Sequence, residues 1–195
     1  HGIMNDNVTG LEEESDQIFE VPYEPFTGIC LTDTFQMYES EDMVDALLVE
    51  NSSRRKRQKE LDIRVIMGNP PYSAGHDSYI RAIRWASDRI GDAGVIGFVT
   101  NGGFLEANTA DGLRKCLAEE FSSIHVFHLR GNQRTSGELS RREGGKIFDS
   151  GSRAPIAISI LVKNPEANEH GRILFHDIGD YLNRSEKLEM IADYA

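Results

Sequence analysis

Two short runs, Val95–Val99 and Ile156–Val162, are apolar at almost every position. Each suits a β-strand buried on both faces and is far too short to span a bilayer. Between such runs lie stretches whose apolar residues recur at helical spacing. Strand, helix and strand in succession call for a sheet covered on both sides, which is a three-layer, Rossmann-like α/β fold.

The pattern assigns strands to Gly28–Thr32, Arg64–Met67, Val95–Thr100 and Ser123–Leu129, then to Ile156–Lys163 and Arg172–Asp177. Helices are expected at Asp42–Asn51, Ser78–Ile90 and Ala107–Phe121, the second with Ile80, Ile83 and Ile90 on one face. The last two strands are joined without a helix, so they pair antiparallel or lie at an edge. Residues 1–27 read as an acidic lead-in or linker, with Pro22 and Pro25 forbidding a regular element. Residues 28–165 form the α/β body, and 166–195 continue towards a following domain.

The net charge of −11 is uneven. Residues 1–50 hold 13 Asp/Glu and no Lys or Arg, whereas the remaining 145 hold 21 basic against 19 acidic residues. The acidity therefore does not exclude a nucleic-acid partner. Basic residues cluster at Arg54–Lys59, read first as a solvated face or interdomain contact, and between Arg130 and Lys146. Cys30 and Cys116 have no partner at metal or disulfide-framework spacing, and no signal segment opens the chain, so a reducing cytoplasm is expected. His125 and His128 stand three apart on a strand and point to opposite faces. No catalytic metal is expected.

In a mostly parallel sheet, function gathers where strands end at their carboxyl tips. Asn69-Pro70-Pro71-Tyr72 follows one such strand directly. Two prolines fix φ at about −65° and remove two donors, and Asn69 before a proline is held out of the α region. The chain leaves the sheet as a stiff segment offering the Asn69 amide oxygen, the Pro70 carbonyl and the Tyr72 ring. Two acceptors beside a ring suit a flat, amino-bearing heterocycle; the plainer reading is a turn whose tyrosine caps the core.

VIMGNPPYS resembles motif IV of the S-adenosylmethionine-dependent amino-methyltransferases, in the form used on the exocyclic amino group of adenine in DNA. The text around it is more specific. GICLTDTFQMYE, ENSSRRKRQKELDIRVIMGNPPYSAG, SYIRAIRWASDRIGDAGVIGFVTNGGFL and LRKCLAEEFSSIHVFHLRGNQRTSGE together resemble the methyltransferase region of type ISP, single-polypeptide restriction-modification enzymes. Those join a nuclease, a helicase-like ATPase, a methyltransferase and a target-recognition domain.

The resemblance implies that Asn69, Pro70, Pro71 and Tyr72 are catalytic, the oxygens accepting from the adenine amino group and Tyr72 stacking on a base flipped from double-stranded DNA. It implies S-adenosylmethionine as cofactor, held by Asp33, Phe35 and Asn69, although Asp33 is equally readable as a turn aspartate. Asn101, Gly102 and Gly103 would leave room beside the target base. Arg130 and Arg134 would meet DNA in a polar, glycine-rich stretch, 130–153, otherwise readable as a solvated loop. Tyr79 reads as packing. The family's glycine-rich cofactor loop is absent, so the chain reads as the C-terminal half of such a domain, with an unpaired edge beside Arg64–Met67. The same tetrapeptide serves methyltransferases of protein glutamine amides and of RNA guanine amino groups, and a silent DNA-binding or scaffold piece is the alternative from another class.

Overall fold

The computed structural model describes residues 49–71, 78–148 and 153–194. The strand expected at Gly28–Thr32 lies outside these, as does most of the helix expected at Asp42–Asn51. The chain runs α1 (Val49–Glu60), β1 (Val65–Gly68), α2 (Ser78–Arg89), β2 (Gly94–Asn101), α3 (Asp111–Glu120), β3 (Ser123–Arg130), α4 (Gly137–Glu143), β4 (Ile156–Lys163), β5 (Arg172–Asp177) and α5 (Arg184–Asp193). Two short 3-10 turns, Gly102–Leu105 and Asn108–Ala110, join β2 to α3. No helix among the described residues is long and apolar enough to cross a membrane.

The five strands among the described residues lie in the order β1-β2-β4-β3-β5. β1 pairs parallel with β2, and β5 parallel with β3, while β4 runs antiparallel between β2 and β3. The α/β, Rossmann-like class expected from the sequence is the class observed. The two C-terminal strands do not pair with each other: β4 enters the middle of the sheet and β5 takes one edge. Among the described residues β1 takes the other edge, with Met67 81% exposed.

One face of the sheet presents Ile96, Phe98, Ile124, Val126 and Leu161 to α2 and α3, which contribute Ile83, Ala86 and Leu117. Ile90 and Phe121, just past those helices, are fully buried. Each such side chain contributes about 1.5–3 kcal/mol of burial. On the other face Leu129, Ile147, Ile156 and Ile178 pack with Met190 and Ile191 of α5. That helix opens on a capping box: Asn183 accepts from the Glu186 N–H and Glu186 accepts from the Asn183 N–H.

Two helices stand where the apolar period predicts none. α1 carries the basic run, whose Arg, Lys and Gln residues are good helix formers, with Arg57 and Lys59 complementing the C-terminal dipole. α4 lies inside the glycine-rich stretch and ends at Gly144, whose φ of 69° suits a residue without a Cβ.

Candidate active site

Because β1, β2, β3 and β5 all run the same way, their carboxyl tips share one edge. β4 runs against them, so its entrance at Ile156 joins the same edge.

At the tip of β1, Pro70 is buried while Asn69 and Pro71 are exposed. The Ser78 hydroxyl donates to the Pro71 carbonyl at 3.0 Å, tying the far end of the diproline to the start of α2. A Cβ at Gly68 would lie 3.1 Å from the Phe98 ring, so the strand passes close over β2 just before the corner. Tyr72, Asp33 and Phe35 lie outside the described residues. Tyr79 is a core residue, 6.3 Å from the Phe104 ring between centroids.

At the tip of β2, Asn101 is buried and its amide oxygen accepts from the Gly103 N–H at 2.8 Å, capping the 3-10 turn. The Gly102 N–H donates to the Pro155 carbonyl at 2.8 Å, linking the tip to the entrance of β4. Gly102 is closely packed against the neighbouring strands. A Cβ there would lie 3.3 Å from His128 Cδ2 and 3.4 Å from both Ala157 Cβ and His128 Nε2.

The tip of β3 is a knot of charge. Arg130 adopts a φ of 57°, following a bulge after His128. Its Nε lies 2.7 and 3.0 Å from the two Asp177 oxygens, and Nη1 reaches Asp180. The Asp177 hydrogen bonds hold the guanidinium protonated above its ordinary range against the pull of burial. Burial pushes the Asp177 carboxyl up, yet Arg130, the Gly179 N–H and the nearby charges outweigh it and keep the group below its ordinary value. Arg142 Nε binds Asp180 at 2.7 Å, holding that carboxyl low as well. Arg130 is thus saturated by carboxylates. Arg134 differs: its backbone N–H is held by Asn132 at 3.0 Å, the residue is exposed, and no carboxylate among the described residues lies within ion-pair distance of its guanidinium.

Lys187 is a site feature that sequence reading missed. It is fully buried, and its ammonium donates to the carbonyls of Leu129, Glu143 and Gly145 at 2.8, 2.8 and 2.9 Å. Burial lowers its pKa to about 8, with the Glu143 charge opposing. The clamp joins α5 to both ends of the 131–145 segment. His128, considered in the sequence only as a metal ligand, lies 3.4 Å through Nδ1 from Asp177. A histidine and an aspartate near the ends of two strands are the signal that could have paired them.

No family model and no curated protein matches the chain. Solved structures do. A nuclease-deletion mutant of the type ISP restriction-modification enzyme LlaGI, in complex with a DNA substrate mimic, is 44% identical over 92% of this chain, with a TM-score of 0.80. The ATP-dependent type ISP enzyme LlaBIII bound to DNA is 40% identical over 88%, with a TM-score of 0.79. The DrdV–DNA complex is 30% identical over 87%, with a TM-score of 0.75. This chain spans only 18%, 14% and 20% of those chains respectively. Identity of this level across nearly the whole segment, on the same fold, places the chain in the methyltransferase region of the type ISP restriction-modification enzymes, the family to which it belongs.

Proposed function

We propose that this segment is the target-base half of a DNA adenine N6-methyltransferase within a restriction-modification polypeptide. The observation that carries the reading is the adjacency of Asn69-Pro70-Pro71 and Asn101-Gly102-Gly103 at the tips of paired parallel strands.

The adenine amino lone pair is delocalised into its ring and is a poor nucleophile. The Asn69 amide oxygen and the Pro70 carbonyl accept its hydrogens, favour a pyramidal nitrogen and concentrate charge on it. This is positioning and preorganised electrostatics, so no strongly basic side chain is needed. Proline stiffness and the Ser78 tie at Pro71 limit the reorganisation this requires. Tyr72 follows directly and stacks on the extruded base. Arg134 meets a DNA phosphate, and Arg130 acts from behind by fixing the root of that segment through Asp177 and Asp180.

S-adenosylmethionine supplies the electrophilic methyl when bound. Asp33 and Phe35, assigned to it by resemblance, lie outside the described residues. Asn69, assigned to it by the same resemblance, is exposed at the β1 tip. The described residues alone do not compose its site, and the chemistry above concerns the base side only.

The test is methyl transfer by the whole polypeptide carrying this segment. Duplex DNA incubated with methyl-labelled S-adenosylmethionine should yield N6-methyladenine on digestion. Label found only in protein or RNA, or none at all, overturns the reading.

A further inference from the structure

Thr100, Ala157, His128 and Asp177 line up in one row across β2, β4, β3 and β5. Residues in register on neighbouring strands share a face, so these four side chains sit together directly under the site edge. His128 is only 8% exposed. Its Nε2 is buried and has no hydrogen-bond partner among the described residues, and the same holds for Thr100 Oγ1. Two such groups in one row are unusual, since buried polar atoms are nearly always satisfied.

The ring has a charged neighbour on one side: Nδ1 lies 3.4 Å from Asp177 Oδ2, so a proton on Nδ1 points at that carboxylate. Asp177 is itself fixed by Arg130 and by the Gly179 N–H at 2.9 Å. The opposite edge of the ring, Cδ2 and Nε2, lies beneath Gly102. A Cβ at residue 102 would force the imidazole to give way by a few tenths of an ångström, so the glycine lets the ring pack close.

Resting on the functional reading above, we infer that His128, oriented by Asp177, is a positioning residue of the target-base site. It supports the Gly102–Gly103 turn from below, as the Pro155 carbonyl holds it from the side. Arg130, at the root of the DNA-facing segment, and Gly102, at the base-facing turn, are thereby joined through Asp177 and His128. The imidazole acts through the turn and does not touch the reacting atoms.

The test uses the full polypeptide with His128→Leu, which fills the space but cannot donate, and His128→Asn, whose amide can donate to Asp177 from near the Nδ1 position. Amide hydrogen exchange of the peptide covering 101–104 reads the turn itself. The expected result is exchange at least tenfold faster in His128→Leu and within threefold of wild type in His128→Asn, with thermal midpoints of both close to wild type. In methyl transfer, kcat should fall at least tenfold in His128→Leu with KM for DNA unchanged, and recover in His128→Asn. Wild-type exchange in His128→Leu, or equal acceleration in both variants, overturns the inference. So does acceleration spread evenly over the sheet, which marks a merely structural loss. Should the wild-type polypeptide methylate nothing, the functional reading falls, while the exchange measurement still decides the role of His128.

Discussion

The Arg130 guanidinium and the Asp177 carboxylate meet across the tips of two neighbouring parallel strands, with Nε 2.7 Å from Oδ1 and 3.0 Å from Oδ2. An arginine so neutralised has little charge left for a phosphate, and that divides the arginines of this edge into two kinds. Arg130→Ala should cost about 1–3 kcal/mol of stability, the scale of a lost hydrogen bond to a charged group, and leave the salt dependence of DNA binding unchanged. Arg134→Ala should leave the melting temperature alone, weaken DNA binding, and reduce the slope of log affinity against log salt by about 1. Thermal melts and binding titrations at several salt concentrations separate the two. Equal salt slopes for Arg134→Ala and wild type would contradict the phosphate contact.

Lys187 gives a pH signature. Its pKa of about 8 lies below that of an unfolded lysine, about 10.4. Between those values the unfolded chain holds the extra proton and the native chain does not, so this group's contribution to stability rises with pH. Lys187→Met lacks that titration and leaves three carbonyls without their donor, costing about 1–3 kcal/mol near neutral pH. The stability gap between wild type and Lys187→Met should widen between pH 8 and pH 10 by on the order of 1–3 kcal/mol. Urea unfolding at each pH measures it, and a narrowing gap would contradict the depressed amine.

Asn69→Ala in the complete enzyme should abolish methyl transfer while largely sparing cofactor affinity, checked by label incorporation and by cofactor titration. Tyr72→Ala should weaken transfer by about 1–3 kcal/mol, the scale of a lost base–aromatic stack, with Tyr72→Phe mild. A severe loss in Tyr72→Phe would assign the role to the hydroxyl instead.

Gly102→Ala places a methyl 3.3 Å from His128 and 3.4 Å from Ala157, closer than a packed interior readily accepts. Overpacking of this kind costs about 1–3 kcal/mol. Pairing it with His128→Ala should recover part of that loss in the melting temperature. Strict additivity of the two changes would show that residues 102 and 128 are not in contact.

Hydrophobic period located the elements well. The β4 and β5 spans, Ile156–Lys163 and Arg172–Asp177, match the expected runs, and α2 differs only at its last residue. Period carries no information on direction or neighbours, so the antiparallel pairing it allows between the last two strands gives way to the insertion of β4 and the parallel, edge position of β5. It also fails where helices lack an apolar face, as in α4 and most of α1. The diproline corner was legible because two prolines dictate backbone shape without help from the rest of the fold. The support beneath Gly102 was not, because Asp177 lies far from His128 in the chain and the two meet only through strand pairing. The Asn101 cap on its own turn is a local contact that its place after a strand does not reveal.

A strand that runs against its neighbours brings its entrance to the edge where theirs finish. Arg130 and Ile156 are register partners, so the residues between them depart from the sheet and rejoin it at one place. Such a closed excursion can be lengthened cheaply, each doubling costing only about 0.6 kcal/mol of closure entropy. New contacts can therefore be grafted there, or old ones discarded, without altering the order of a single strand beneath.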